Sequence, residues 1–139
     1  MKKKIIGYTS GVFDLFHVGH VRILKKAKKY CDFLIVAVTT DSLVKKRKNK
    51  NPVIPYKERI EIVKSIKYVD MAVGQSNMNK KLAFDKYKFD IMFVGSDWKG
   101  TAKWNELEKY FEQKKIKIKY FPYTKSTSST KINRIIDEY

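Results

Sequence analysis

Asp32-Phe33-Leu34-Ile35-Val36-Ala37-Val38-Thr39 is a run of β-formers in which polar and apolar positions do not alternate. A strand that is apolar at successive positions is buried on both faces, as in a parallel sheet with helices packed against each side. Working outward, Lys4 to Thr9 (KIIGYT) reads as an earlier strand. Between the two, Val21, Leu24, Ala27 and Cys31 recur at intervals of three and four, which predicts an amphipathic helix from about Gly19 to Cys31. Beyond the run, Lys45 to Pro52 (KKRKNKNP) reads as a cationic loop, and Pro55 opens a helix in which Ile60, Val63 and Ile66 share a face. Val69 to Val73 is a short strand and Met78 to Tyr87 a helix. Asp90 to Val94 (DIMFV) is another buried strand, ending at Gly95, and Lys103 to Lys114 is helical. Ile116 to Phe121 alternates apolar residues with lysine, as an edge strand does. A Ser/Thr cluster, Ser126 to Thr130, then leads into a helix from about Lys131 to Tyr139.

Strands alternating with helices predict an α/β fold: a single Rossmann-like, doubly wound domain over residues 1–139, with a mostly parallel five-stranded sheet. The length of 139 residues suits one such domain. A hydrophobic share of 43% supports a packed core. No apolar run approaches the roughly 20 residues of a membrane-spanning helix. The basic start Met1-Lys2-Lys3-Lys4 is followed by an apolar stretch cut by Gly7, Thr9 and Ser10, too short for an export signal. With Cys31 as the single cysteine, the expectation is a reduced, cytoplasmic protein. The net charge of +17 attracts anions. A basic nucleic-acid-binding module is one reading of it. However, only Arg22, Arg47, Arg59 and Arg134 are arginines, and the scattered lysines lack the planar fork that dominates base and phosphate recognition. A solvated lysine surface, with a small anionic substrate where the charge matters, is preferred to a nucleic-acid partner.

In a doubly wound sheet, ligands bind beyond the carboxyl ends of the strands at the topological switch point. The segments to inspect are therefore 10–20, 40–55, 74–81, 95–101 and 122–131. Both histidines of the chain lie in the first, as His17-Val18-Gly19-His20. A spacing of three places both imidazoles on one side of the first helical turn. Gly19 lets a ligand approach the backbone closely. Two imidazole donors at the positive end of a helix suit a phosphoryl group gaining charge. Zinc is the poorer reading, because it takes three or four ligands and no third histidine exists. Ser128, Ser129 and Thr130 before the last helix suit phosphates by the same helix-end logic, although a plain N-cap uses the same residue types.

Ser10-Gly11-Val12-Phe13-Asp14-Leu15-Phe16-His17-Val18-Gly19-His20 is more specific than the histidine pair. With Tyr56-Lys57-Glu58-Arg59, Gly95-Ser96-Asp97-Trp98-Lys99-Gly100 and Tyr123-Thr124-Lys125-Ser126-Thr127-Ser128-Ser129-Thr130, in that order, the chain resembles the cytidylyltransferase-like nucleotidyltransferase family. It is similar above all to the small bacterial glycerol-3-phosphate cytidylyltransferases, over nearly its whole length. The resemblance implies transfer of CMP from CTP to a small phosphorylated alcohol, with Mg²⁺ accompanying the triphosphate and the chain forming a homodimer. It implies that His17, His20, Lys48 and Arg59 are catalytic. Gly11, Val12, Phe13, Gly19, Asp97, Trp98, Tyr123, Thr124, Ser128, Ser129 and Thr130 would bind CTP, and Lys46 and Lys81 the acceptor. No metal-ligating side chain is implied. Solvated lysines, a surface ion pair of Arg59 with Glu58 or Glu61, and a tryptophan lid over the core are the plainer readings of the same residues. Adenylyl transfer on the same scaffold is the alternative activity. Two departures stand out: Tyr123 and Lys67 occupy positions where the family pattern has arginine. They bear on the acceptor more than on the reaction class.

Overall fold

The computed structural model describes residues 3–122, 132 and 134–136. Five strands form one wholly parallel sheet: β1 (Ile6–Gly11), β2 (Phe33–Thr39), β3 (Met71–Gln75), β4 (Ile91–Gly95) and β5 (Lys117–Phe121). Their spatial order is β3-β2-β1-β4-β5. The connections are helical: α1 (Val18–Lys28), α2 (Asp41–Lys48), α3 (Tyr56–Lys64), α4 (Lys80–Tyr87) and α5 (Ala102–Gln113), with a single 3₁₀ turn at Ser96–Trp98. The Rossmann-like, doubly wound architecture expected from the sequence is present. Among the described residues no helix is long and apolar enough to cross a membrane.

The unbroken apolar run of β2 divides between the two faces as the pleat requires. Leu34, Val36 and Val38 pack with Leu24 and Ala27 of α1 and Val63 of α3. Ile35 and Ala37 pack on the opposite face with Trp104, Leu107 and Phe111 of α5. At the amino ends of the strands, three aspartates pin the register. Asp32 accepts from Ile5 N (2.8 Å), Asp70 from Leu34 N (2.8 Å) and Asp90 from Ile6 N (2.9 Å). Each carboxylate satisfies an amide on a neighbouring strand where the ladder begins, and a one-residue slip would forfeit those bonds.

Several boundaries move. β1 begins at Ile6 and runs on to Gly11, because Ser10 and Gly11 still pair with Ala37 and Val38. β3 is Met71–Gln75 rather than 69–73, since Val69 closes a turn onto Ile66 O and Asp70 N bonds Leu34 O. α4 starts at Lys80, where Asn79 caps the helix by accepting from Lys81 N and Leu82 N. The larger correction concerns the expected cationic loop. Residues 45–48 are the last turn of α2, which Thr40 caps and Asn49 closes in the left-handed region (φ 55°). Only Leu43 and Val44 of α2 are buried, too few to show a helical period in sequence. The basic residues at its carboxyl end suit the helix dipole.

Candidate functional site

β1 and β4 lie side by side at the centre of the sheet, and the chain leaves them in opposite directions, toward β2 and toward β5. The crevice beyond their carboxyl ends is the switch point. Thr9 Oγ1 donates to Phe93 O across it (3.0 Å).

The turn from β1 to α1 is held in an uncommon conformation. Phe13 and Leu15 have φ of 55° and 49°, which for non-glycine residues costs about 1 kcal/mol or more each. The buried Asp14 carboxylate holds the turn, accepting from Leu15 N (3.0 Å), Val53 N (2.8 Å) and Ile54 N (2.8 Å). Sequence reasoning assigned Asp14 no role. Its position in a turn between two phenylalanines was the available signal. Arg59 fastens the same turn from the other side and is fully buried. Its guanidinium donates to Val12 O (2.6 Å), Thr39 O (2.8 Å), Ile54 O (2.8 Å) and Asp41 Oδ1 (2.7 Å). Burial disfavours the Asp41 carboxylate, but the Tyr56 amide and the Arg59 guanidinium outweigh it and hold the carboxyl below its usual range. Arg59 is therefore neither a surface ion pair with Glu58 or Glu61 nor open to a ligand along the edges that make these four bonds. It ties the ends of β1 and β2 to the first turns of α2 and α3.

Within this frame the two histidines cap each other's helix end. His17 is the N-cap of α1, and its Nδ1 accepts from Gly19 N (3.0 Å). His20 Nδ1 accepts from His17 N (3.1 Å). An imidazole nitrogen that accepts from an amide carries no proton, so each neutral ring bears its proton on Nε2. The rings lie 4.1 Å apart, and His20 is stacked against Phe16 at 5.0 Å. Burial lowers the pKa of His17. Burial and the neighbouring His17 lower that of His20 to about 4, against the opposing pull of Asp14. At pH 7 the site thus offers two neutral N–H donors with fixed tautomers.

The lysines fall out differently from expectation. Lys46 and Lys48 are exposed on the last turn of α2. Arg47, between them, reaches to 3.6 Å from Met78 Sδ, just before α4. Lys81 was expected at the acceptor, but its Nζ lies over the Tyr110 ring of α5 (4.6 Å). Lys80, one residue earlier and about 100° around the helix, turns inward. It is 6% exposed and donates to Ser10 Oγ at the end of β1 (2.5 Å). Burial, then the charges of Lys103 and Arg47, lower its pKa to about 8. Nothing in the sequence distinguishes Lys80 from Lys81.

Gly11, Val12, Phe13, Gly19 and both histidines share the β1–α1 turn. Asp97 and Trp98 sit in the 3₁₀ turn beyond the adjacent β4. Trp98 is 42% exposed, so it is not a lid over the core. Tyr123, Thr124, Ser128, Ser129 and Thr130 lie outside the described residues. Among the described residues no group of three or more His, Cys, Asp or Glu side chains is placed to hold a metal ion. A broad depression of about 880 Å³ opens at the opposite end of the sheet, between Lys4, Asp90 and Lys117, and contains none of the motif residues.

The chain is similar to known proteins over nearly its whole length. A family model described as Cytidylyltransferase-like matches residues 8–135. The chain is 35% identical over 135 residues to the glycerol-3-phosphate cytidylyltransferase of Bacillus subtilis (strain 168), covering 96% of this chain and 97% of that one. It is 34% identical over 140 residues to the FAD synthase of Thermococcus sibiricus, covering 99% and 93% of the two chains. Among solved structures, the lipopolysaccharide core biosynthesis protein of Thermoplasma volcanium superposes with a TM-score of 0.73 at 29% identity, covering 90% of this chain and all of that one.

Proposed function

The chain belongs to the cytidylyltransferase-like family, and we propose that it transfers CMP from CTP to a small phosphomonoester such as glycerol 3-phosphate, giving a CDP-alcohol and pyrophosphate. The observation that carries this reading is the reciprocal histidine cap at the switch point. An oxygen of the acceptor phosphate attacks the α-phosphorus in line. A new P–O bond forms, the bond to the bridging oxygen breaks, and pyrophosphate departs with the electron pair. The attacking oxygen is already anionic at pH 7, so no general base is needed, and catalysis rests on positioning and charge stabilisation. His17 and His20 donate from Nε2 to the α-phosphate and bridging oxygens as charge shifts onto them. Because their Nδ1 atoms are occupied by backbone amides, the rings are oriented before substrate arrives.

In this reading Gly11, Val12, Phe13 and Gly19 let the nucleotide lie against the backbone, while Asp97 and Trp98 approach the base and the acceptor pocket. Lys48 contacts the triphosphate and Lys46 the acceptor, with Lys80 in the part first given to Lys81. Tyr123, Thr124 and Ser128 to Thr130 hold the departing pyrophosphate. Arg59 acts as a positioning residue through Val12 and Ile54. Mg²⁺ neutralises triphosphate charge when bound. The histidine, lysine and hydroxyl donors at the site suit an ion carried chiefly on phosphate oxygens and water rather than in a protein cage.

The FAD synthase relatives favour a second reading, adenylyl transfer from ATP on the same scaffold. Pyrophosphate release with CTP or ATP across a panel of phosphorylated alcohols separates the two. Release dependent on both CTP and acceptor is expected. Acceptor-dependent release with ATP and none with CTP would replace the reading by the second.

A further inference from the structure

Lys80 sits where packing and electrostatics both disfavour a lysine. It is 6% exposed. It is the first residue of α4, where the positive end of the helix dipole opposes a cation. Arg47, on the last turn of α2, reaches to 3.6 Å from Met78 Sδ, two residues before it, and the charges of Arg47 and Lys103 act against its own. The ion pairs among the described residues, Lys3 with Asp90, Lys28 with Asp70 and Arg59 with Asp41, do not include it. Its hydrogen bond among the described residues runs to a neutral group, Ser10 Oγ, at 2.5 Å.

The sheet places Ser10 for that bond. Ser10 follows Tyr8 by two positions on β1, and alternate residues of a strand share a face. Tyr8 packs on the face that α4 and α5 cover, with Ala83 and Phe84 of α4 against it, so Ser10 points to the side on which α4 opens. Its backbone is fixed by pairing with Ala37 of β2. A carboxylate at this point would form an ion pair and cancel the charge on Lys80. A hydroxyl accepts one bond, leaves the charge whole, and takes one of the three N–H donors of the ammonium. We propose that Ser10 is a positioning residue for the reaction, whose hydroxyl fixes the Lys80 ammonium at the end of β1 and leaves its charge to the acceptor phosphate. This rests on the nucleotidyl-transfer reading and adds to it a residue that the motif comparison passes over.

Ser10→Ala removes the acceptor of the bond, and Ser10→Thr keeps a hydroxyl in its place. With the full chain, CTP and Mg²⁺, KM for glycerol 3-phosphate is expected to rise about tenfold in Ser10→Ala, the worth of one hydrogen bond to a charged group. kcat and KM for CTP should stay unchanged, and Ser10→Thr should restore the acceptor KM. A role confined to folding would lower the melting temperature without this split. The bond favours the charged amine, so its loss lowers the pKa of Lys80 further, by about one pH unit. That titration is read directly in the ligand-free protein labelled at lysine Cε, with Lys80→Arg identifying the resonance. A lower midpoint in Ser10→Ala than in Ser10→Thr and the unaltered protein supports the proposal, and an unmoved midpoint overturns it. An unchanged acceptor KM in a folded, active Ser10→Ala protein overturns it as well. If the unaltered protein turns over no phosphomonoester with CTP, the proposed activity fails, and the Lys80 titration still decides whether Ser10 holds the ammonium.

Discussion

His20 does two separable things, and three substitutions tell them apart. Its Nδ1 accepts from the His17 amide, and its ring packs against Phe16 and Phe13 at 5.0 and 5.4 Å. Its Nε2–H remains to meet a ligand. An N-cap hydrogen bond contributes about 1 kcal/mol, and the aromatic contacts about as much again. His20→Ala removes both and should cost about 2 kcal/mol. For a chain of this size that lowers Tm by about 8 °C. Asparagine places an oxygen where Nδ1 stood, so His20→Asn keeps the cap, loses the ring and should lower Tm by only about 4 °C. Glutamine carries its amide nitrogen out to the Nε2 position, so His20→Gln loses the cap and keeps a donor. If the donor acts on charge developing at the phosphate, His20→Ala and His20→Asn should each lose about 100- to 1000-fold in kcat. His20→Gln should retain at least ten times the activity of either. Thermal melts and initial-rate pyrophosphate release on the purified variants check both sets of numbers. Near-normal turnover in His20→Asn would refute the donor role. Turnover in His20→Gln as low as in His20→Ala, with the protein folded, would refute it equally.

The remaining expectations concern the frame and its pH behaviour. Arg59→Met leaves the Val12, Thr39 and Ile54 carbonyls without their guanidinium donor and the Asp41 carboxylate with only the Tyr56 amide, and should destabilise the protein by about 3–5 kcal/mol in denaturant melts. In Gly7→Ala the new Cβ would stand 2.7 Å from Cys31 Sγ and 2.8 Å from Phe93 Cε2. The expected cost is about 1–3 kcal/mol, partly recovered by Cys31→Ala, as urea titrations would read. The folded pKa of His20, about 4, lies below the unfolded value of 6.5, so the unfolded chain binds the extra proton between them. Its contribution to stability is full above pH 6.5 and is lost as pH falls toward 4, which melts at stepped pH in the unaltered protein and His20→Asn would isolate. Lys80 donates to Ser10 Oγ, and burial with the charges of Lys103 and Arg47 lowers its pKa to about 8, so kcat/KM for the acceptor should decline above about pH 8. In Lys80→Arg that decline should vanish, because guanidinium keeps its charge.

How much of this was legible in the chain varies by residue. Residues 32–39 announced a strand buried on both faces, because burial on two sides leaves a run with no polar positions. His17-Val18-Gly19-His20 announced a helix start after the first strand, and the structure places His17 at the N-cap of α1. Residues 45–48 looked like loop, because a helix that buries only Leu43 and Val44 leaves too short an apolar pattern to read.

Local order in the chain determined the succession of strands and helices and the turn in which both imidazoles sit, since these depend on neighbours a few residues apart. Tertiary structure alone decided that Arg59 is spent on backbone carbonyls and Asp41, that Lys80 and not Lys81 turns toward Ser10, and that Arg47 reaches Met78 just before α4. Those outcomes turn on a rotation of about 100° between adjacent helical residues and on contacts between segments up to 70 positions apart, neither of which leaves a trace in the order of residues.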